Sequence, residues 1–140
     1  MDNVERPFVV GYVFSQHPHS LMHIKTLDAV PEIESVHVCG IENEDAEALR
    51  AESTKVASTT SDLGEFLARP EVDAVMVCVR NDLCPGVMDS AVAAGKPVLF
   101  EKPGALAASD LRRIADLAAV RGLTMGTMFQ SRGNPVIQQV

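Results

Sequence analysis

Several short runs in this chain are apolar on almost every residue, and helical patterns lie between them. The runs are residues 8–13 (FVVGYV), 35–39 (SVHVC), 73–79 (DAVMVCV), 97–101 (PVLFE) and 123–129 (LTMGTMF). A strand that is apolar on successive rather than alternate residues is buried on both faces. Strands of that kind, alternating with helices, fold into a parallel sheet with right-handed crossovers and helices on both sides. A weaker run at 55–58 (KVAS) suits an edge of that sheet.

The helical stretches carry their own start and stop signals. Ser20 reads as the N-cap of a helix with Leu21, Ile24 and Leu27 on its axis and Pro31 beyond its end. Residues 43–53, rich in Glu and Ala, read as a solvent-facing helix. Ser61 reads as the cap of a helix burying Leu63, Phe66 and Leu67, which Pro70 stops. Pro85 suits a first helical turn, with Val87, Met88, Ala91 and Val92 inward and Gly95 at the end. Ser109 reads as the cap of a helix with Asp110 in its first turn, and Gly122 closes it. Asn134-Pro135 looks like the start of another helix. The expected fold is therefore α/β: a doubly wound, Rossmann-like parallel sheet in three αβα layers. One such domain is expected over residues 1–129, with 130–140 opening a linker or helix toward a further domain. In the strand order of a dinucleotide-binding fold, the first and fourth strands flank the ligand crevice.

Composition narrows the partners. Aromatic residues are 4% of the chain and Trp is absent, so the core has to be aliphatic. A net charge of −7 argues against nucleic acid or an anionic membrane as a partner. No apolar stretch is long enough to span a bilayer, and the first six residues lack the basic start and apolar run of a signal peptide. The three cysteines, Cys39, Cys78 and Cys84, are odd in number and form no Cys-x-x-Cys pair, so neither a zinc ribbon nor a disulfide framework is indicated. A reduced, cytoplasmic setting is expected.

Candidate site residues cluster at the ends of the apolar runs, where an open parallel sheet binds ligands. Glu101-Lys102-Pro103 closes the run at 97–101, and Pro103 biases Lys102 away from the α region, so the lysine is held extended at the strand's end. A solvated turn is the plainer reading of that tripeptide. Arg80 follows the most apolar run and suits an anion contact as well as it suits solvent. His17, His19 and His23 raise a metal reading, but no cysteine or acid lies near them in sequence, so no metal site is expected. Cys84 at a helix start reads as a plain thiol, although a helix dipole there can lower a thiol pKa.

Three segments carry a resemblance: PEVDAVMVCVRND at 70–82, AVAAGKPVLFEKPGAL at 91–106 and MGTMFQSRGNP at 125–135. On these the chain resembles the N-terminal domain of the glucose–fructose oxidoreductase / inositol dehydrogenase (Gfo/Idh/MocA) family. The resemblance implies NAD or NADP as cofactor and a sugar, inositol or related polyol as substrate. It implies a second, sheet-rich domain that supplies most of the substrate pocket and subunit contact. It also assigns Lys102 a catalytic place beside nicotinamide and substrate; in a hydride-transfer reading Glu101 would tune that lysine, and Asn81 and Arg80 would position ligand.

The chain departs from that family at its first strand-to-helix turn. The expected Gly-x-Gly-x-x-Gly is replaced by residues 14–20 (FSQHPHS), with Phe14, Gln16 and His19 opposing the roles of the glycines. The acid expected at the tip of the second strand is displaced to Glu42. Ser15, Gln16, His17 and His19 then become the residues a cofactor phosphate would meet, in a shifted or weaker pose at the start of the following helix. The acids at Glu42, Glu44 and Asp45 would repel a 2′-phosphate, which favours NAD over NADP. Two functions follow. One is the NAD(P)-binding domain of a polyol oxidoreductase, truncated and inactive by itself, with oligomerisation open to it. The other is a non-catalytic Rossmann-fold module that has lost ordinary dinucleotide binding.

Overall fold

The computed structural model describes residues 6–139 and contains one six-stranded sheet. The strands are β1 (Phe8–Phe14), β2 (Ile33–Gly40), β3 (Val56–Thr60), β4 (Ala74–Cys78), β5 (Val98–Glu101) and β6 (Met125–Met128). Five helices join them: α1 (Ser20–Ala29), α2 (Ala46–Arg50), α3 (Leu63–Leu67), α4 (Cys84–Ala93) and α5 (Ala108–Val120). The spatial order is β3-β2-β1-β4-β5-β6, and all neighbouring pairs run parallel. The order reverses between β1 and β4, so the chain ends of these two strands flank the crevice that such sheets use for ligands. The expected doubly wound architecture is present. The expectation drawn from residues 1–5 lies outside the described residues.

Successive residues of each central strand feed opposite layers. Val9 and Val13 pack with Phe66, Val75, Val77, Met88, Val92 and Ile114 beneath α3, α4 and α5. Val10, Tyr12 and Phe14 pack with Ile24, Leu27, Val36, Val38, Leu49 and Met76 beneath α1 and α2. Gly11 permits close contact between layers, because a Cβ there would sit 2.6 Å from Phe66 Cζ.

Three caps differ from the sequence reading. Ser20 is the first helical residue of α1 and His19 occupies the N-cap, without a side-chain cap bond. Asp62, not Ser61, caps α3 by accepting the Glu65 N–H, and Ala107 precedes α5 in place of Ser109. The helix expected over 43–53 shrinks to α2, because Glu42 (φ 56°) and Asn43 (φ 65°) adopt left-handed backbone and Asp45 begins the helix. After β6 the chain forms two short 3₁₀ turns, Gln130–Gly133 and Ile137–Gln139, where a helix was expected from Asn134. No helix among the described residues is long and apolar enough to cross a membrane.

Candidate functional site

The turn after β1 is stitched to its neighbours by short polar links. Ser15 is fully buried. Its N–H donates to the Cys78 carbonyl at 3.2 Å, and its Oγ accepts the Arg80 N–H at 2.9 Å. Ser20 Oγ donates back to the Ser15 carbonyl at 3.2 Å. Tyr12, buried so that its phenol pKa is driven up, donates its hydroxyl to the Ser20 carbonyl at 2.9 Å. The end of β1, the end of β4 and the first turn of α1 are thus one hydrogen-bonded unit. Ser15 serves as a backbone anchor rather than as a free ligand donor.

Across that unit lies a cluster whose histidines the sequence spacing announces and whose acid it does not. Glu101, at the end of β5, is 3% exposed. Its Oε2 accepts from His19 Nδ1 at 3.1 Å and from His23 Nε2 at 2.5 Å. Its Oε1 accepts the Lys102 backbone N–H at 3.1 Å. Burial alone would raise the Glu101 pKa, but the bonds from His23 and His19 outweigh it and hold the carboxyl below its ordinary value. His19 and His23 are one helical turn apart and so share a face of α1. His17 stands 5.2 Å from the His19 ring and accepts the His19 N–H on Nδ1 at 3.1 Å. Desolvation lowers the His17 pKa, which the Glu101 charge opposes and the neighbouring His19, His23 and Lys102 reinforce.

This arrangement corrects two expectations. Glu101 faces the histidines of α1, so it does not tune the Lys102 ammonium through a side-chain pair; only the lysine's backbone reaches the carboxylate. An acid does complete the histidine set, because the fold brings Glu101 to His19 and His23. The three donor atoms lie within 4.8 Å of one another.

The other half of the mouth is bridged by an ion pair. Arg80 Nη1 lies 3.2 Å from Glu42 Oε2, while Nη2 binds Asp82 Oδ2 at 2.6 Å. The Asp82 bond and charge, then Glu42, raise the Arg80 pKa. Glu42 follows β2 and Arg80 follows β4, so their contact passes over the end of β1. Gln16 is exposed, Asn81 is half-buried, and Lys102 is exposed at the rim beyond β5. Cys84 is buried, and burial pushes its thiol up to about 12, the reverse of a dipole-activated nucleophile.

Residues 7–129 match the family model described as the oxidoreductase family, NAD-binding Rossmann fold (Gfo/Idh/MocA). The chain belongs to this family. Among Gfo/Idh/MocA relatives, it is 34% identical over 85 residues to a 1,5-anhydro-D-fructose reductase of Ensifer adhaerens, covering 61% of this chain and 26% of that one. It is 43% identical over 58 residues to an inositol 2-dehydrogenase of Gluconacetobacter diazotrophicus, covering 41% of this chain and 17% of that one. Its fold superimposes with a TM-score of 0.82 on scyllo-inositol dehydrogenase of Lactobacillus casei, solved with NAD(H) and scyllo-inositol; identity is 17%, and the match covers 96% of this chain and 39% of that one. The chain therefore spans less than half the length of each of these Gfo/Idh/MocA relatives.

A glycine-cradled pyrophosphate does not fit this turn. The cradle needs backbone N–H groups open to the phosphates and no side chain over them. Here the Ser15 N–H is held by Cys78, Phe14 is buried in the core, and the His19 side chain leans across the mouth to Glu101. What stays available is the first turn of α1 beyond the His19 and Ser20 N–H groups, which are already donated to His17, so that the Leu21 and Met22 N–H groups are left to face an anion.

Proposed function

We propose that the chain is the nucleotide-binding part of an oxidoreductase acting on a hydroxyl of a sugar, inositol or related polyol. The reading rests on one observation: the Glu101-Lys102-Pro103 turn stands at the carboxyl end of β5, beside the β1/β4 crevice of a family member. The exposed Lys102 ammonium would donate a hydrogen bond to the substrate oxygen and lower the cost of removing its proton. Asn81 and Arg80 would position ligand at the end of β4. A dinucleotide would lay its phosphates against the start of α1 rather than within the turn. NAD is favoured over NADP by Glu42, Glu44 and Asp45, since a second phosphate near them is repelled. The chain acts in the cytoplasm and by itself turns over no polyol. Oligomerisation is open to it, and Phe129, Val136 and Ile137 are exposed apolar residues that a second copy could cover.

Calorimetric titration with NADH and NADPH tests the binding half of this reading. Weak NADH binding, weaker NADPH binding, and loss of affinity in the His17→Ala/His19→Ala double variant are expected. Affinity unchanged in the double variant would refute the displaced pose. A specific observation favours a second reading, a non-catalytic module: the Glu42–Arg80 and Glu101–histidine bridges both close the mouth. Absence of heat with either nucleotide would select it.

A further inference from the structure

We propose that His19 Nδ1, His23 Nε2 and Glu101 Oε2 form a binding site for a divalent transition metal ion of the zinc class. Two imidazoles and one carboxylate are the donor types that zinc, cobalt and nickel prefer, and two nitrogens disfavour magnesium and calcium. The spacing fits. A tetrahedral zinc ion about 2.0–2.1 Å from each donor holds the donors roughly 3.3–3.4 Å apart. The three atoms here lie within 4.8 Å of one another, with 3.1 and 2.5 Å from Glu101 Oε2 to His19 and His23. Seating the ion opens the Glu101–His23 pair by about 0.8–0.9 Å and draws the two imidazole nitrogens, which lie within 4.8 Å of each other, closer together.

The surroundings prepare the donors. Glu101 is 3% exposed, and its Oε1 is engaged by the Lys102 N–H, which leaves Oε2 to face the histidines. That outer bond orients the carboxylate as partners of metal-ligating groups do. His23 is buried on α1, whereas His19 is half-buried and opens the cluster to the crevice. A fourth ligand would have to enter from the side of His19, the half-buried member of the three. The Gln130 amide stands 3.4 Å from His19 Nδ1, and turned over it presents a carbonyl oxygen to the same point. A water molecule or a ligand oxygen from the crevice fits there equally.

The test uses the 140-residue chain stripped with a chelator and titrated with Co(II), then Zn(II). One Co(II) per chain with the intense visible absorption of tetrahedral coordination is expected, displaced by Zn(II). His19→Ala and Glu101→Gln are expected to weaken affinity by more than the roughly 10–100-fold that loss of an outer-shell partner costs. His37→Ala, remote from the cluster, is the control and keeps the parent's affinity. His19 is half-buried at a helix cap, so its variant tests the site even if His23→Ala fails to fold. A featureless Co(II) spectrum, or His19→Ala binding as tightly as the parent, would overturn the proposal. So would a loss in His37→Ala as large as in His19→Ala.

Discussion

Gly104 shows how one residue shapes the Lys102 turn. Its φ of +79° is left-handed backbone, and a Cβ there would collide with the ring of Phe100, itself buried at the core's edge. Gly104→Ala is expected to lose about 1–2 kcal/mol from backbone strain alone, with the ring contact adding to it. Urea denaturation measures the total. Asp28 is a second single-residue anchor. Its Oδ1 accepts from Ser53 Oγ (2.7 Å), Thr54 N (2.7 Å) and Lys55 N (3.3 Å), fastening α1 to the approach to β3. The Ser53 bond, with those from Thr54 and Lys55, lowers the Asp28 pKa although desolvation opposes them. A carboxylate depressed on folding contributes stability above its ordinary pKa and loses it as pH falls through the folded value. Melting temperature should thus decline more steeply below the ordinary carboxylate range in the parent than in Asp28→Asn.

Among the elements, the strands were legible and the helix ends were not. A buried parallel strand leaves a continuous apolar run, as in DAVMVCV, too short for a full helix and bounded by turn residues. A cap depends on which of two adjacent polar residues the backbone selects, so Ser61 and Asp62 look alike in sequence while only Asp62 reaches a free N–H. The site was half legible. Lys102 announced itself through its proline, but Glu101 and His19 meet across 82 positions and only the sheet order joins them. Ser15, read as a cofactor contact, joins β1 to β4 through its N–H and its hydroxyl. Ser15→Ala should therefore cost about 1 kcal/mol by removing the acceptor for the Arg80 N–H. Thermal or urea unfolding of that variant measures the loss, and an unchanged midpoint would remove Ser15 from the joint.

At the scale of the whole molecule, the two apolar layers share one sheet. Cys39 belongs to the layer beneath α3, α4 and α5, and Cys78 to the layer beneath α1 and α2. Burial raises both thiols to about 11. A thiol reagent at mildly alkaline pH should find neither in the native chain. In rising urea both should become reactive at the same midpoint, as a single cooperative unit requires. Separate midpoints, read by peptide mapping of the labelled chain, would mean that one layer opens without the other. Phe66→Ala should lower the common midpoint, through a loss of about 3–5 kcal/mol in unfolding free energy, because the ring is fully buried against Gly11 of the central strand.

The Glu42–Arg80 contact has a consequence for how the crevice responds to added electrolyte. Both side chains are more than a third exposed, so their attraction is small and weakens as ions accumulate. In an open phosphate-binding turn, electrolyte only hinders an anionic guest. Here it also loosens the clasp that covers the end of β1, and the two effects offset one another. Affinity for a dinucleotide should therefore change less between low and moderate electrolyte than it does in the Glu42→Gln variant, where the clasp is already gone.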